Sequence, residues 1–419
     1  MLAVQNDDTD RVRQILRRSR EPRALIEGNW FPFDAPAIVV ARKSVSMVDL
    51  LLEFGADIDS RTSWWAGTYG VLDEVDTATA DQLVARGARI DVHAAAAHDW
   101  KDELVRLIDE RPERVNASGP DGQRPLHLAA SIEVIDSLLA SGADLELRDL
   151  DHSATAVQYA VARPDICRHL LQKGAVPDIF LASALGDKEL CRNLIDIDAE
   201  VASHVIGDCP LTRKRHAKAS MHIYFWKLRQ CSTAVEVARE SGHADLANWL
   251  LERAPARFQL VDACWCGDSN RAGFLLTAAP NLRNELTTAD KQRLCDAAWT
   301  NRAEAVSLML QSGFDPQFVG SEKMTPLNRA AFHGFDEVIA TLLEADEEPP
   351  LEVKNEYGGT ALDCCLFGRK HSWRTDGDYP RAVELLCEAG ALIDEAWLEG
   401  DDAAVAVARS HFLRRGSGA

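Results

Sequence analysis

The sequence predicts an all-α solenoid, built by stacking about thirteen short helix pairs rather than around one central core. Three observations predict it. A glycine phrase recurs, as Gly55-Ala56-Asp57, Gly87-Ala88-Arg89, Gly142-Ala143-Asp144, Gly174-Ala175, Gly313-Phe314-Asp315 and Gly390-Ala391. Each copy follows an amphipathic stretch that ends in paired apolar residues, such as Leu138-Leu139. The spacing also repeats, since Gly55 to Gly87 and Gly142 to Gly174 are each 32 residues.

The clearest unit runs from Pro120 to Asp149. Pro125 suits the first turn of a helix, where a missing amide costs nothing. Ala129 and Ala130 are small enough for close helix approach, and Leu138 and Leu139 are expected to fill the space toward the next unit. Gly142 supplies the left-handed residue that ends a helix. Leu139→Ala is accordingly expected to cost ~2–5 kcal/mol. The opening Pro125-Leu126-His127-Leu128-Ala129-Ala130 and the ending Gly142-Ala143-Asp144 together resemble the ankyrin repeat, a turn, two antiparallel helices and a hairpin. Met324-Thr325-Pro326-Leu327-Asn328-Arg329-Ala330-Ala331 is a second near-intact opening, with Asn328 at the histidine position. The tetratricopeptide period is close, but it lacks these two phrases. Asp178-Ile179-Phe180-Leu181-Ala182 and His222-Ile223-Tyr224-Phe225-Trp226 give the chain the look of a long, degenerate bacterial ankyrin array.

The resemblance divides the chain into N-terminal repeats at 1–206, an insertion at 207–231 and C-terminal repeats at 232–419. Leu2 to Leu16 reads as the N-terminal cap. The segment 395–413, with Glu395, Glu399, Asp401 and Asp402, reads as the polar C-terminal cap that a solenoid end requires. Around Trp64 to Asp91 the opening phrase is missing, and only Gly87 places that unit.

Two places break the period, and insertions in a solenoid gather on one face. Between Asp208 and Glu236 there are six basic residues and no acid, Arg213 and Arg215 among them, beside the triplet Tyr224-Phe225-Trp226. The second insertion, at about 369–380, carries His371, Trp373, Arg374 and Tyr379. Each is weighed as a surface loop or as a lip over a groove.

A third pattern is more regular. Trp265, Trp299, Phe332 and Leu366 close successive first helices at intervals of 34, 33 and 34 residues. In the ankyrin fold that position lines the concave face, so the resemblance implies an aromatic ladder with His333 beside it. The bland alternative is that these rings fill gaps between repeats. The candidate binding residues are therefore Trp265, Trp299, Phe332, His333, Tyr224, Phe225, Trp226, Arg213, Arg215 and Trp373.

Composition bounds the function. The formal charge of -20, from 46 basic and 66 acidic residues, opposes general binding to nucleic acid or anionic lipid. No run of apolar residues is long enough to span a membrane, and the first residues lack the basic and apolar regions of a secretory signal. The 10 cysteines form no Cys-x-x-Cys pair and are expected to be reduced core residues in a cytoplasm. No catalytic, phosphate-binding, cofactor or zinc motif is present. His127 is expected to bond backbone. Cys209, His216 and His222 lack a nearby carboxylate, so no metal is expected there. The reading is a monomeric scaffold that binds a protein or peptide along its groove. The alternative is a small-molecule site or enzyme, with a pocket closed by the 207–231 and 369–380 insertions over the ladder.

Overall fold

The computed structural model describes residues 1–28, 30–207 and 223–416. They are mostly helical, with no named strand among the described residues beyond two isolated bridges, Phe31 to Ala35 and Val205 to Thr233. The chain divides into two compact units, Met1–Asn248 and Trp249–Ala419. Arg213 and Arg215 lie outside the described residues, as do Cys209, His216 and His222.

In the first unit, short first helices alternate with longer amphipathic ones. Pro125–Leu128 precedes Ile132–Ala140, Ala156–Tyr159 precedes Pro164–Gln172, and Ile179–Leu185 precedes Lys188–Ile197. Most of the first helix is interface. Leu126 and His127 are buried, and His127 is held from both sides. Its Nδ1 accepts the Arg124 amide at 3.1 Å, so its Nε2 is the protonated nitrogen and donates to the Ala154 carbonyl of the next hairpin at 3.0 Å. Burial lowers its pKa, which keeps the ring in this neutral tautomer. Gly142 closes the second helix at φ 93°, the left-handed conformation.

Two expectations at this repeat are corrected. The helix ends at Leu128, so Ala129 is buried but Ala130 faces out, and the Ala130 amide donates instead to the Ala96 carbonyl of the preceding repeat at 3.0 Å. Leu138 is fully buried with Val134 and Ile135, whereas Leu139 lies only partly covered at the helix edge. A neighbouring position on a helix is rotated by about 100°, which is why the two leucines differ.

Residues 58–76 contain no helix, and only Thr77–Val84 represents that unit. This stretch is tied instead to the hairpin that follows the helix pair Val92–Ala97 and Lys101–Glu110. Trp64 Nε1 and the Tyr69 hydroxyl donate to the two carboxylate oxygens of Asp121, at 3.0 and 2.5 Å.

In the second unit the first helices lengthen: Ala256–Trp265, Thr288–Trp299, Pro326–His333 and Ala361–His371. Each of the last three begins with a capping box. In the third, Asn328 Oδ1 accepts the Thr325 amide at 3.0 Å while Thr325 Oγ1 accepts the Asn328 amide at 3.1 Å, and Pro326 occupies the first turn. The second helices are Ser269–Ala278, Ala303–Gln311, Asp336–Leu343 and Tyr379–Glu388, followed by Ala403–Gly416. The last two first helices approach very closely, because a side chain at Gly368 would sit 1.8 Å from the Phe332 carbonyl oxygen. That approach brings the helix ends, and the rings they carry, side by side.

Candidate functional site

The aromatic residues of the second unit form a continuous stack. Trp299 ends its helix, and its indole lies face to face with Phe332, centroids 5.6 Å apart and planes 16° from parallel. Phe332 meets Phe367 at 6.3 Å, and Phe367 meets Trp397 at 6.5 Å. The fourth rung is therefore Phe367, not Leu366. Counted from the capping threonines Thr325 and Thr360, Phe332 and Phe367 hold the same place, and Leu366 is turned into the core. Phe367 is 44% exposed. Trp397 comes from the short turn Glu395–Trp397.

Trp265 is placed differently from the expectation of a partly open ring. It is only 4% exposed, and the guanidinium carbons of Arg293 and Arg302 lie 3.5 and 4.6 Å from its centroid. His333 is likewise buried, 1% exposed, with Trp299 at 4.1 Å. Burial, reinforced by the nearby Arg374 and Arg329 charges, lowers its pKa to about 4. His333 supports the stack from beneath.

The 369–380 insertion folds back onto the preceding helix end. His333 Nδ1 and Ser372 Oγ share a hydrogen bond of 2.8 Å, and the Tyr379 hydroxyl donates to the Phe332 carbonyl at 3.1 Å. Trp373 lies edge-on to Trp299 at 5.7 Å yet stays 58% exposed, and Arg374 covers Phe335 at 5.2 Å. An Arg374–Asp376 ion pair closes the loop.

A cleft of ≈ 410 Å³ opens along this stack. Trp299, Phe332, Phe367, Trp397 and Tyr357 supply its rings, Met324 and Cys364 add sulfur, and Glu322, Asp363 and Asn355 supply polar groups. Repeat helices, hairpins and the Glu395–Trp397 turn build this lining, to which the 369–380 insertion contributes no residue. Tyr357 and Trp397 carried no sequence signal, since each lies in a connection rather than at a periodic position.

In the first unit, the aromatic triplet is split three ways. Tyr224 is fully buried; it stacks edge-on against Phe180 at 5.5 Å and donates to Asp178 Oδ2 at 2.7 Å. Asp178 also caps the helix Ile179–Leu185, so Tyr224 bolts the insertion to the core and is withdrawn from any open surface. Phe225 packs over Gly207, where a side chain would meet the ring at 2.5 Å. Trp226 points outward, 65% exposed.

Among the described residues one group could hold a metal ion. Ligand atoms of Asp121, Asp151 and His152 lie within 4.8 Å of one another, and Asp149 Oδ2 lies 3.1 Å from His152 Nδ1 on the far side of the ring. Seven of the nine described cysteines are buried, and burial pushes the Cys364 thiol up to about 11. No helix of the described residues is long and apolar enough to cross a membrane.

Helix pairs tethered hairpin to hairpin define a helical-repeat protein. Comparison with known proteins gives the kind of repeat. The ankyrin repeat family model matches residues 121–150, the unit in which His127 and Gly142 perform the tasks described above. A stretch of 85 residues is 36% identical to the E3 ubiquitin-protein ligase XB3 of Oryza sativa subsp. japonica. It covers 20% of this chain and 19% of that relative's length. The chain thus carries an ankyrin repeat at residues 121–150.

Proposed function

We propose that the chain is a binding scaffold that takes a protein or peptide along the aromatic face of its second unit. The observation that carries this reading is the run Trp299–Phe332–Phe367–Trp397 around an open cleft. Rings left partly uncovered beside an apolar hollow are where interface energy concentrates, at ~2 kcal/mol or more for a true anchor. Ankyrin repeats generally mediate protein–protein interaction, which agrees with the absence of a catalytic motif in the sequence. Of the residues expected to bind, Trp299, Phe332 and Trp373 keep that role in the proposal; Phe367, Trp397 and Tyr357 join them. Trp265, His333 and Tyr224 serve as supports. The finer reading, a monomeric cytoplasmic array of about thirteen repeats, counts the helix pairs of both units and the helix-poor 58–76 region as copies of one motif.

Peptide selection from a displayed random library, with the full chain as bait, tests the reading. Selected peptides should bind Phe367→Ser and Trp397→Ala at least tenfold more weakly, a loss of ~1.4 kcal/mol or more. Phe367 is 44% exposed, so Phe367→Ser should cost less stability than removal of a buried ring, and its melting curve is recorded beside its binding. Peptides that bind both variants as well as the parent would place the binding surface elsewhere.

A further inference from the structure

The chemistry of the cleft selects among the groups a partner could insert. We propose that it accepts an arginine side chain of a bound peptide, its guanidinium stacked against Phe332 and Phe367 and facing Glu322 and Asp363. This rests on the reading above that a peptide lies along this face.

The protein's own arginines show how these rings are used. Arg293 and Arg302 lie over Trp265, Arg329 lies 5.0 Å from the centroid of Trp299, and Arg374 lies over Phe335. The electron-rich face of an aromatic ring attracts a cation, and a planar guanidinium also stacks on it. Arg329 is the fourth residue after the capping threonine Thr325. The fourth residue after the next capping threonine, Thr360, is Cys364, which lines the cleft. The position that carries a stacking arginine in one repeat thus carries a small thiol in the next. That thiol is neutral, so no cation from this position reaches Phe332 and Phe367. A guanidinium from outside would take the role that Arg329 plays for Trp299.

The polar groups agree in sign. Glu322 and Asp363 line the cleft, and among the described residues its lining includes no lysine or arginine. Glu322 lies 3.6 Å from Arg329, so it already sits where a guanidinium approaches the ring stack. An acidic side chain would meet two carboxylates, and an apolar one would bring no partner to them; Asp363 Oδ2 already accepts the Thr360 amide and hydroxyl, and Glu322 pairs with Arg329. The net charge of -20 further favours a basic partner. At ≈ 410 Å³ the cleft has room for a long side chain and part of its backbone.

Three capped heptapeptides of one sequence, with arginine, citrulline or norleucine at the centre, provide the test against the full chain by NMR titration. Citrulline keeps the shape of arginine and removes the charge. The arginine peptide should bind at least tenfold tighter than the other two, should weaken tenfold on Phe367→Ser, and should weaken severalfold on Glu322→Gln. Equal binding of the arginine and citrulline peptides, or tighter binding of norleucine, would overturn the cation reading while leaving the groove as a binding surface. Binding of none at millimolar peptide would overturn the arginine site itself, and the library selection would then decide whether the groove reading survives. Undiminished arginine binding to Phe367→Ser would place the cation elsewhere.

Discussion

Removing the Trp299 indole tests whether the ring stack is a structural unit. The ring is mostly covered, by Phe332 on one side, His333 and Trp373 at its edges and Arg329 near its face. A tryptophan buries ~150–250 Å² when covered, which at ~25 cal/mol per Å² corresponds to ~4–6 kcal/mol. The part open to the cleft and the compactness of the unfolded chain reduce this to ~3 kcal/mol for Trp299→Ala. The loss should be local, because repeats share stability mainly with their neighbours. Native-state hydrogen exchange suits this better than one global transition. Amides of Thr288–Trp299, Pro326–His333 and the 372–378 loop should lose protection, while those of Ile132–Ala140 in the first unit should keep theirs. The stacked pair itself is isolated by adding Phe332→Ala and the double variant. A parallel pair at 5.6 Å should couple by ~1 kcal/mol. A loss below ~1 kcal/mol for Trp299→Ala, or a coupling indistinguishable from zero, would show that the rings do not act as one stack.

Two further outcomes are expected. Leu138→Ala should destabilise the first unit by ~3–5 kcal/mol and the partly covered Leu139→Ala by about half that, in urea unfolding; the reverse order would shift the helix register by one. His333 has its pKa lowered to about 4 against 6.5 when unfolded, so the unfolded state binds the proton more readily. Its contribution is fully present above pH 6.5 and is lost as pH falls toward 4, by ~3 kcal/mol in all. Stability of the second unit measured between pH 7 and 4 should therefore fall less steeply for His333→Asn than for the parent, and identical slopes would contradict the buried neutral ring.

The sequence by itself determined the repeat. The opening that holds Thr325 and Asn328, Pro125 at a first turn and Gly142 after a last one are local signals. Each acts through hydrogen bonds or backbone sterics within a few residues, so each is readable without knowing what packs against it. The same holds for the spacing that put an aromatic ring at the ends of successive first helices. What the tertiary structure decided is which rings are open. Trp265 and Trp299 share a sequence position, yet two arginines from the following repeat cover the first. Leu366 and Phe367 differ by one residue, and a turn of about 100° sends one to the core and the other to the cleft. Tyr224 reads as a surface aromatic until Asp178, 46 residues away, takes its hydroxyl into the core. Tyr357 and Trp397 join the cleft only because successive repeats pack side by side, at a spacing that close approaches such as that of Gly368 to the Phe332 carbonyl set. A cleft is a sum over side chains from several repeats, and its shape depends on distances that no single stretch of sequence encodes.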